Sequence, residues 1–207
     1  MKLSHQTATC LFSSKLAARA IMCFATLALF TAMLATPAAA GNITEYIGND
    51  DGAPVTGPFP ASNASQAMFE AAATGFSSIN TITFETLPVG FQSSVTAAPG
   101  VTVTLNAPDF GSGLSGINNF TFGNTHGFNV TPSGAQWLGF PVGSATFNFA
   151  GSTQSFGVWL TGVQSASLSS LNMTFNDGQP ESLPLPITTN GGAAFFGFTD
   201  PGSNISS

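Results

Sequence analysis

Residues 145–161 read Ala-Thr-Phe-Asn-Phe-Ala-Gly-Ser-Thr-Gln-Ser-Phe-Gly-Val-Trp-Leu-Thr. Ala145, Phe147 and Phe149 alternate with Thr146 and Asn148. After a turn of small polar residues, Phe156, Val158 and Leu160 alternate with Gly157, Trp159 and Thr161. Successive side chains of a strand point to opposite faces, so a period of two marks half-buried β-structure. The same alternation runs outward in both directions. Upstream it appears at Ile82 and Phe84 and at Val101, Val103 and Leu105, with a fainter version over 126–130 and 136–140. Downstream it appears at Leu171, Met173 and Phe175, and again at Leu183, Leu185 and Ile187. Asn176-Asp177-Gly178 between those two runs is a hairpin signal. Pro184 and Pro186 put the second run at a sheet edge, because proline cannot donate to a ladder. Gly191-Gly192 then turns the chain into the apolar run Ala193–Phe198. One-sided strands spaced by Gly, Pro and Asn predict an all-β fold, a jelly-roll or Greek-key-like β-sandwich over residues 61–207.

One short helix precedes the strands. Asn63 followed by Gln66 has the spacing of a capping box. Ala64, Ala67, Met68 and Ala71 fall on one helical face, and Gly75 supplies a stop. Residues 41–60 read as an extended leader, with a turn at Asn49-Asp50-Asp51-Gly52 and prolines at 54, 58 and 60. The closing residues Asn204-Ile205-Ser206-Ser207, after an Asp200-Pro201-Gly202 turn, read as the opening of another strand. Either further residues complete it or the sheet is left with an open edge.

Residues 1–40 have the order of a secretory signal. Lys2, Lys15 and Arg19 come first, an apolar stretch Ala20–Ala35 follows, and Ala38-Ala39-Ala40 after Pro37 presents small residues for cleavage behind Ala40. An uncleaved anchor is the alternative; the apolar stretch is shorter than the ~20 residues of a usual spanning helix. Only 6% of the 207 residues are charged, and all three Lys and Arg lie in this segment, as do Cys10 and Cys23. Residues 41–207 therefore carry nine carboxylates and no Lys, Arg or Cys, a formal charge of −9 with histidine neutral. Such a chain has no disulfide and no thiolate chemistry. It lacks the cations that nucleic acid or an anionic membrane surface requires.

Several pieces taken together resemble a known family. They are Gly57-Pro58-Phe59-Pro60-Ala61-Ser62-Asn63-Ala64 leading into the helix, Ile82-Thr83-Phe84-Glu85, Gly100-Val101-Thr102-Val103, Phe156–Gly162, Phe175-Asn176-Asp177-Gly178 and Phe195–Asp200. Over residues 57–207 the chain is similar to secreted bacterial proteins of the PEP-CTERM type. The resemblance implies export in a Gram-negative bacterium, a β-sandwich body and a setting of exopolysaccharide and biofilm. It also implies a C-terminal Pro-Glu-Pro motif, an apolar segment and a basic tail, none of which occurs up to Ser207. Either that sorting signal lies further on, or this is a relative without a tail.

Candidate chemistry is sparse. His126 is the one histidine after residue 40, and no serine sits in a Gly-x-Ser-x-Gly elbow; it reads as a loop histidine. A glycoside hydrolase needs two carboxylates across a sugar. Glu85, Asp109, Asp177, Glu181 and Asp200 are the acids to consider, of which Asp177 and Asp200 read as turn formers. No cofactor is expected. A structural calcium is the metal the composition accommodates, with Glu85, Asp50 and Asp51 as candidate ligands against the bland reading of solvated acids. Trp159 alternates with core residues and so faces away from them. An outward ring between Gly157 and Thr161 could stack on a sugar, with Trp137 and Tyr46 adding to the surface, unless the leader or the helix covers it. Six Asn-x-Ser/Thr triplets, at Asn42, Asn63, Asn119, Asn129, Asn172 and Asn204, read as composition. The expected function is a non-enzymatic envelope or matrix protein that associates with extracellular polysaccharide. A carbohydrate-active enzyme and a purely structural, self-associating matrix protein are the alternatives.

Overall fold

A computed structural model describes residues 43–107, 109, 115–131, 134–140, 142–164, 170–174, 180–202, 204, 205 and 207. The proposed signal segment and the Asn176-Asp177-Gly178 turn lie outside the described residues. Those described belong to one unit, residues 40–207. It is mostly β, with one short helix near its N-terminal end and several small antiparallel sheets.

The main sheet has the order β1 (Thr44–Asp51), β10 (Gly192–Thr199), β7 (Ser155–Thr161). A second sheet has β2 (Ser94–Ala98), β3 (Val101–Asn106) and β6 (Ser144–Phe149) in that order. Two pairs complete the set: β4 (Gly116–Asn118) with β5 (Trp137–Gly139), and β8 (Ser170–Thr174) with β9 (Pro180–Pro184). Helix α1 (Pro60–Ala73) packs on β1 and β10.

Every residue of β10 is buried, which explains its sequence. A strand covered on both faces reads as a continuous apolar run instead of an alternating one. On one face Phe196 and Phe198 join Met173, Leu183 and Ile205, with Phe156, Val158 and Leu160 of β7 packed alongside. Rings of Phe147 and Phe149 from β6 lie 5.3 and 6.1 Å from Phe156. On the opposite face Phe195 meets Phe69 and Ala73 of α1, with Tyr46 and Trp159 beside them.

The helix seat is cut by two glycines. Gly157 and Gly197 are direct cross-strand partners. A methyl on Gly157 would lie 2.8 Å from Phe69 Cε1, and one on Gly197 2.9 Å from Phe69 Cδ2. Their bare backbones form the notch that receives the Phe69 ring. Next to it, a methyl on Gly48 would fall 2.3 Å from the Ala61 carbonyl oxygen, so the helix backbone rests directly on β1.

The structure corrects several expectations. The leader is not extended linker throughout, since Thr44–Asp51 is a full edge strand of the main sheet. Glycine at 48 and two aspartates at the end hide that strand from a pattern search. The helix starts at Pro60, with Phe59 as N-cap, not at Asn63. Its buried face is Ser62, Ser65, Phe69 and Ala73. The predicted face is turned to solvent, Met68 being 57% exposed. Close approach over glycines favours small side chains, so serines take the contact positions; the Ser62 hydroxyl donates to the carbonyls of Gly48 and Ala193 at 3.2 and 3.3 Å. Residues 81–85 form no strand, and Phe84 has a left-handed φ of 62°. Residues 126–130 form no named strand. The pattern at 183–187 becomes strand over Pro180–Pro184, on the edge where proline is tolerated. At the chain's end Ile205 bridges Thr153, and Ser207 exchanges backbone bonds with Thr174.

Gly157→Ala is expected to destabilise the fold by about 1–3 kcal/mol through overpacking, measured by urea denaturation. Adding Phe69→Leu should recover part of that loss, a coupling characteristic of touching residues. Strictly additive costs would place Phe69 outside the notch.

Candidate functional site

Trp159 sits on β7 beneath the helix. Its ring meets Phe59 and Phe195 edge-on, at 6.1 and 5.9 Å, and its Nε1–H donates to Gln66 Oε1 at 3.1 Å. The covered alternative is the arrangement found, and Gln66 serves the tryptophan instead of a capping box. The Gln66 Nε2 donates to Glu70 at 2.7 Å. Tyr46 lies edge-on to Phe69, within the same helix contact.

Trp137 stands at the start of β5 and is half-buried. Its Nε1–H donates to the carbonyl of Phe120 at 2.9 Å. Its ring meets Phe122 at 5.8 Å, and Phe122 meets Phe120 at 4.3 Å. Trp137 thus begins an aromatic ladder through Phe122 to Phe120, while Trp159 lies within one that runs from Phe128 and Phe59 to Phe195 and Phe69.

Phe59 and Phe120 both line one cleft of about 330 Å³. One wall is Asn119, Phe120 and Thr121, directly after β4. Asn129, Val130 and Thr131 also line the cleft, with Val55, Thr56 and Phe59 from between β1 and α1, and Gly134 and Ala135. Phe120 is 42% exposed. Among the described residues, the side chains of Thr56, Asn119 and Thr121 have no hydrogen-bond partner. The cleft's lining is mostly polar, with amide and hydroxyl groups that can both donate and accept beside a smaller contribution from Phe59 and Phe120.

Two of these segments are tied down. The Thr161 hydroxyl of β7 donates to the Phe128 carbonyl at 3.1 Å and accepts the Phe128 N–H at 3.1 Å. Asn129 closes a local turn, its Oδ1 accepting the Thr131 N–H at 3.0 Å. Glu85 Oε1 accepts the N–H groups of Ala135 and Gln136 at 2.8 and 2.7 Å. The left-handed Phe84 immediately before it belongs to the turn from which this carboxylate reaches the wall.

The candidate calcium ligands are engaged in the same manner. Asp50 Oδ1 and Oδ2 accept the N–H groups of Ala61 and Ser62 at 3.0 and 2.8 Å. These are the second and third helical residues, the donors an N-cap side chain would ordinarily satisfy, and Phe59 has no such side chain. Asp51 accepts the Asn190 N–H and side-chain Nδ2, both at 2.8 Å. No group of three or more His, Cys, Asp or Glu comes together to hold a metal among the described residues.

His126 is exposed, with Nδ1 2.9 Å from the Thr125 hydroxyl. Asp200 is the turn former expected, its Oδ1 accepting the Gly202 N–H at 3.0 Å. Asp109 and Glu181 are exposed, and Asp177 lies outside the described residues. The cleft residues were missed as a site, although a signal existed. Two of the Asn-x-Thr triplets, at Asn119 and Asn129, line it. Comparison of the chain with protein-family models, curated proteins and solved structures returns no match.

Asp50→Ala is expected to cost about 1–2 kcal/mol, the usual value of a lost cap. Asp50→Asn should retain part of it, since the carboxamide keeps one acceptor; denaturation followed by helix circular dichroism measures both. Calcium is expected to leave the melting midpoint of the wild-type chain unchanged. A rise that Asp51→Asn or Glu85→Gln abolishes would instead assign those carboxylates to a cation.

Proposed function

We propose that this chain is a secreted, non-enzymatic protein of a Gram-negative cell surface or extracellular matrix, and that it associates with polysaccharide. It is read as a protein of the PEP-CTERM type whose signal segment ends at Ala40. Its sheets are read as stacked in a jelly-roll or Greek-key-like sandwich, with the ring contacts of Phe147 and Phe149 on Phe156 supporting the stacking.

The observation that carries the binding role is the cleft beside Phe120. Sugar rings present apolar C–H faces ringed by hydroxyls. A recognition site for them combines flat aromatic surface with uncharged donors and acceptors. Phe120, which is exposed, supplies the first, and Thr56, Asn119 and Thr121 the second. The tryptophans chosen from the sequence take a supporting role here. Trp137 positions Phe120 through its carbonyl and through Phe122, and Trp159 backs Phe59.

Affinity electrophoresis through gels containing polysaccharides tests this reading. Retardation of the wild-type chain should fall about tenfold in apparent affinity on Phe120→Ala, the scale of a lost central contact. Bound glycan should shift the fluorescence of Trp137, identified by its absence in Trp137→Phe. Unchanged mobility in every gel would sink the proposal.

A further inference from the structure

We propose that the glycan taken by this cleft is neutral, and that acidic polysaccharides bearing uronate or sulfate groups are excluded from it. This rests on the polysaccharide reading above and names the ligand class within it. Three observations converge.

First, an anion buried against protein needs a cation or a set of free N–H donors. Residues 41–207 contain no Lys or Arg, and none of the described residues that line the cleft is cationic.

Second, four backbone donors beside the cleft, at Thr131, Gly134, Ala135 and Gln136, are already in use among the described residues. The Thr131 N–H goes to Asn129 Oδ1 at 3.0 Å, and the Gly134 N–H to the Thr131 carbonyl at 3.2 Å. Those of Ala135 and Gln136 go to Glu85. A loop of successive N–H groups can form an anion-binding nest, and here that capacity is occupied from within the chain.

Third, the occupant of those donors is itself a carboxylate. A methyl placed on Gly134, a lining residue, would lie 2.7 Å from Glu85 Oε1, so the negative charge sits against the cleft wall. A uronate entering the cleft would approach it with no countercharge between them. A neutral sugar meets none of these obstacles. Its hydroxyls pair with Thr56, Asn119 and Thr121, and its C–H face lies on Phe120.

The test compares retention of the full chain on gels of neutral polymers (dextran, β-1,3-glucan, galactomannan) and acidic ones (alginate, hyaluronan, polygalacturonate). Salt is varied from about 0.01 to 1 M, over which the Debye length falls from about 30 to 3 Å. The expected result is retention by at least one neutral polymer, unchanged by salt and weakened about tenfold by Phe120→Ala and several-fold by Thr121→Val. No retention by acidic polymers is expected at any salt. Retention by acidic polymers that Phe120→Ala abolishes would overturn the neutral assignment while leaving the polysaccharide reading intact. Absence of retention by both classes, or retention indifferent to Phe120→Ala and Thr121→Val alike, would overturn the polysaccharide reading and this inference with it.

Discussion

The contact between the Asp50 carboxylate and the start of α1 organises this molecule. A helix begins with donors that its own backbone cannot satisfy. Here Pro60 removes one by having no N–H, and Asp50, from the neighbouring strand β1, accepts the next two. The negative charge also sits at the positive end of the helix dipole. The interaction is tertiary, joining residues eleven and twelve positions apart. It fixes where the helix starts, which in turn sets Phe69 over the Gly157–Gly197 notch and Phe59 at the edge of the cleft.

Asp50 is one case of a general constraint. A chain segment with carboxylates and no Lys or Arg cannot form the salt bridges on which most proteins draw. Its acids turn to N–H donors instead: Asp50 to the helix, Asp51 to Asn190, Glu85 to Ala135 and Gln136, and Asp200 to Gly202. Hydrogen bonds to a charged acceptor are stronger than neutral ones, roughly 1.5–3 kcal/mol against about 1. Asp50, Asp51 and Glu85 therefore act as clasps between segments, the last two reaching far along the chain, while Asp200 closes a local turn.

Much of the β-structure was legible because one-sided strands announce themselves. β3, β6, β7, β8 and β10 lie where the alternation or the apolar run placed them. What escaped notice was governed by close approach. The apolar-face rule selected Ala64, Ala67, Met68 and Ala71, yet a helix lying on glycines needs small residues below it, so Ser62 and Ser65 are buried and Met68 is not. β1 escaped for a related reason. Its Gly48 makes room for the helix, and its closing aspartates, which resemble a turn, are in fact clasps. The Ile82–Phe84 alternation failed because Phe84 takes a left-handed φ of 62° and the chain turns there, with Leu87 N–H on the Phe84 carbonyl, into the segment from which Glu85 holds Ala135 and Gln136.

The candidate site was legible only at one remove. Alternation correctly turned Trp159 away from Phe156 and Val158, but that opposite face is itself a core, filled by α1. An outward-facing residue on a strand is exposed only if nothing packs over it, and periodicity alone carries no information about a second layer. Both tryptophans hand their position on through rings to Phe59 and Phe120, so the surface they support is one residue or two removed from them. The clasp that steadies this surface also limits its chemistry. Glu85 holds the 135–136 wall by occupying the same N–H donors that would otherwise greet an anion. In a segment without cations, each N–H donor drawn into fastening a loop is one withdrawn from the surface beside it, so the carboxylates that hold the fold also shape what its surface has left to offer.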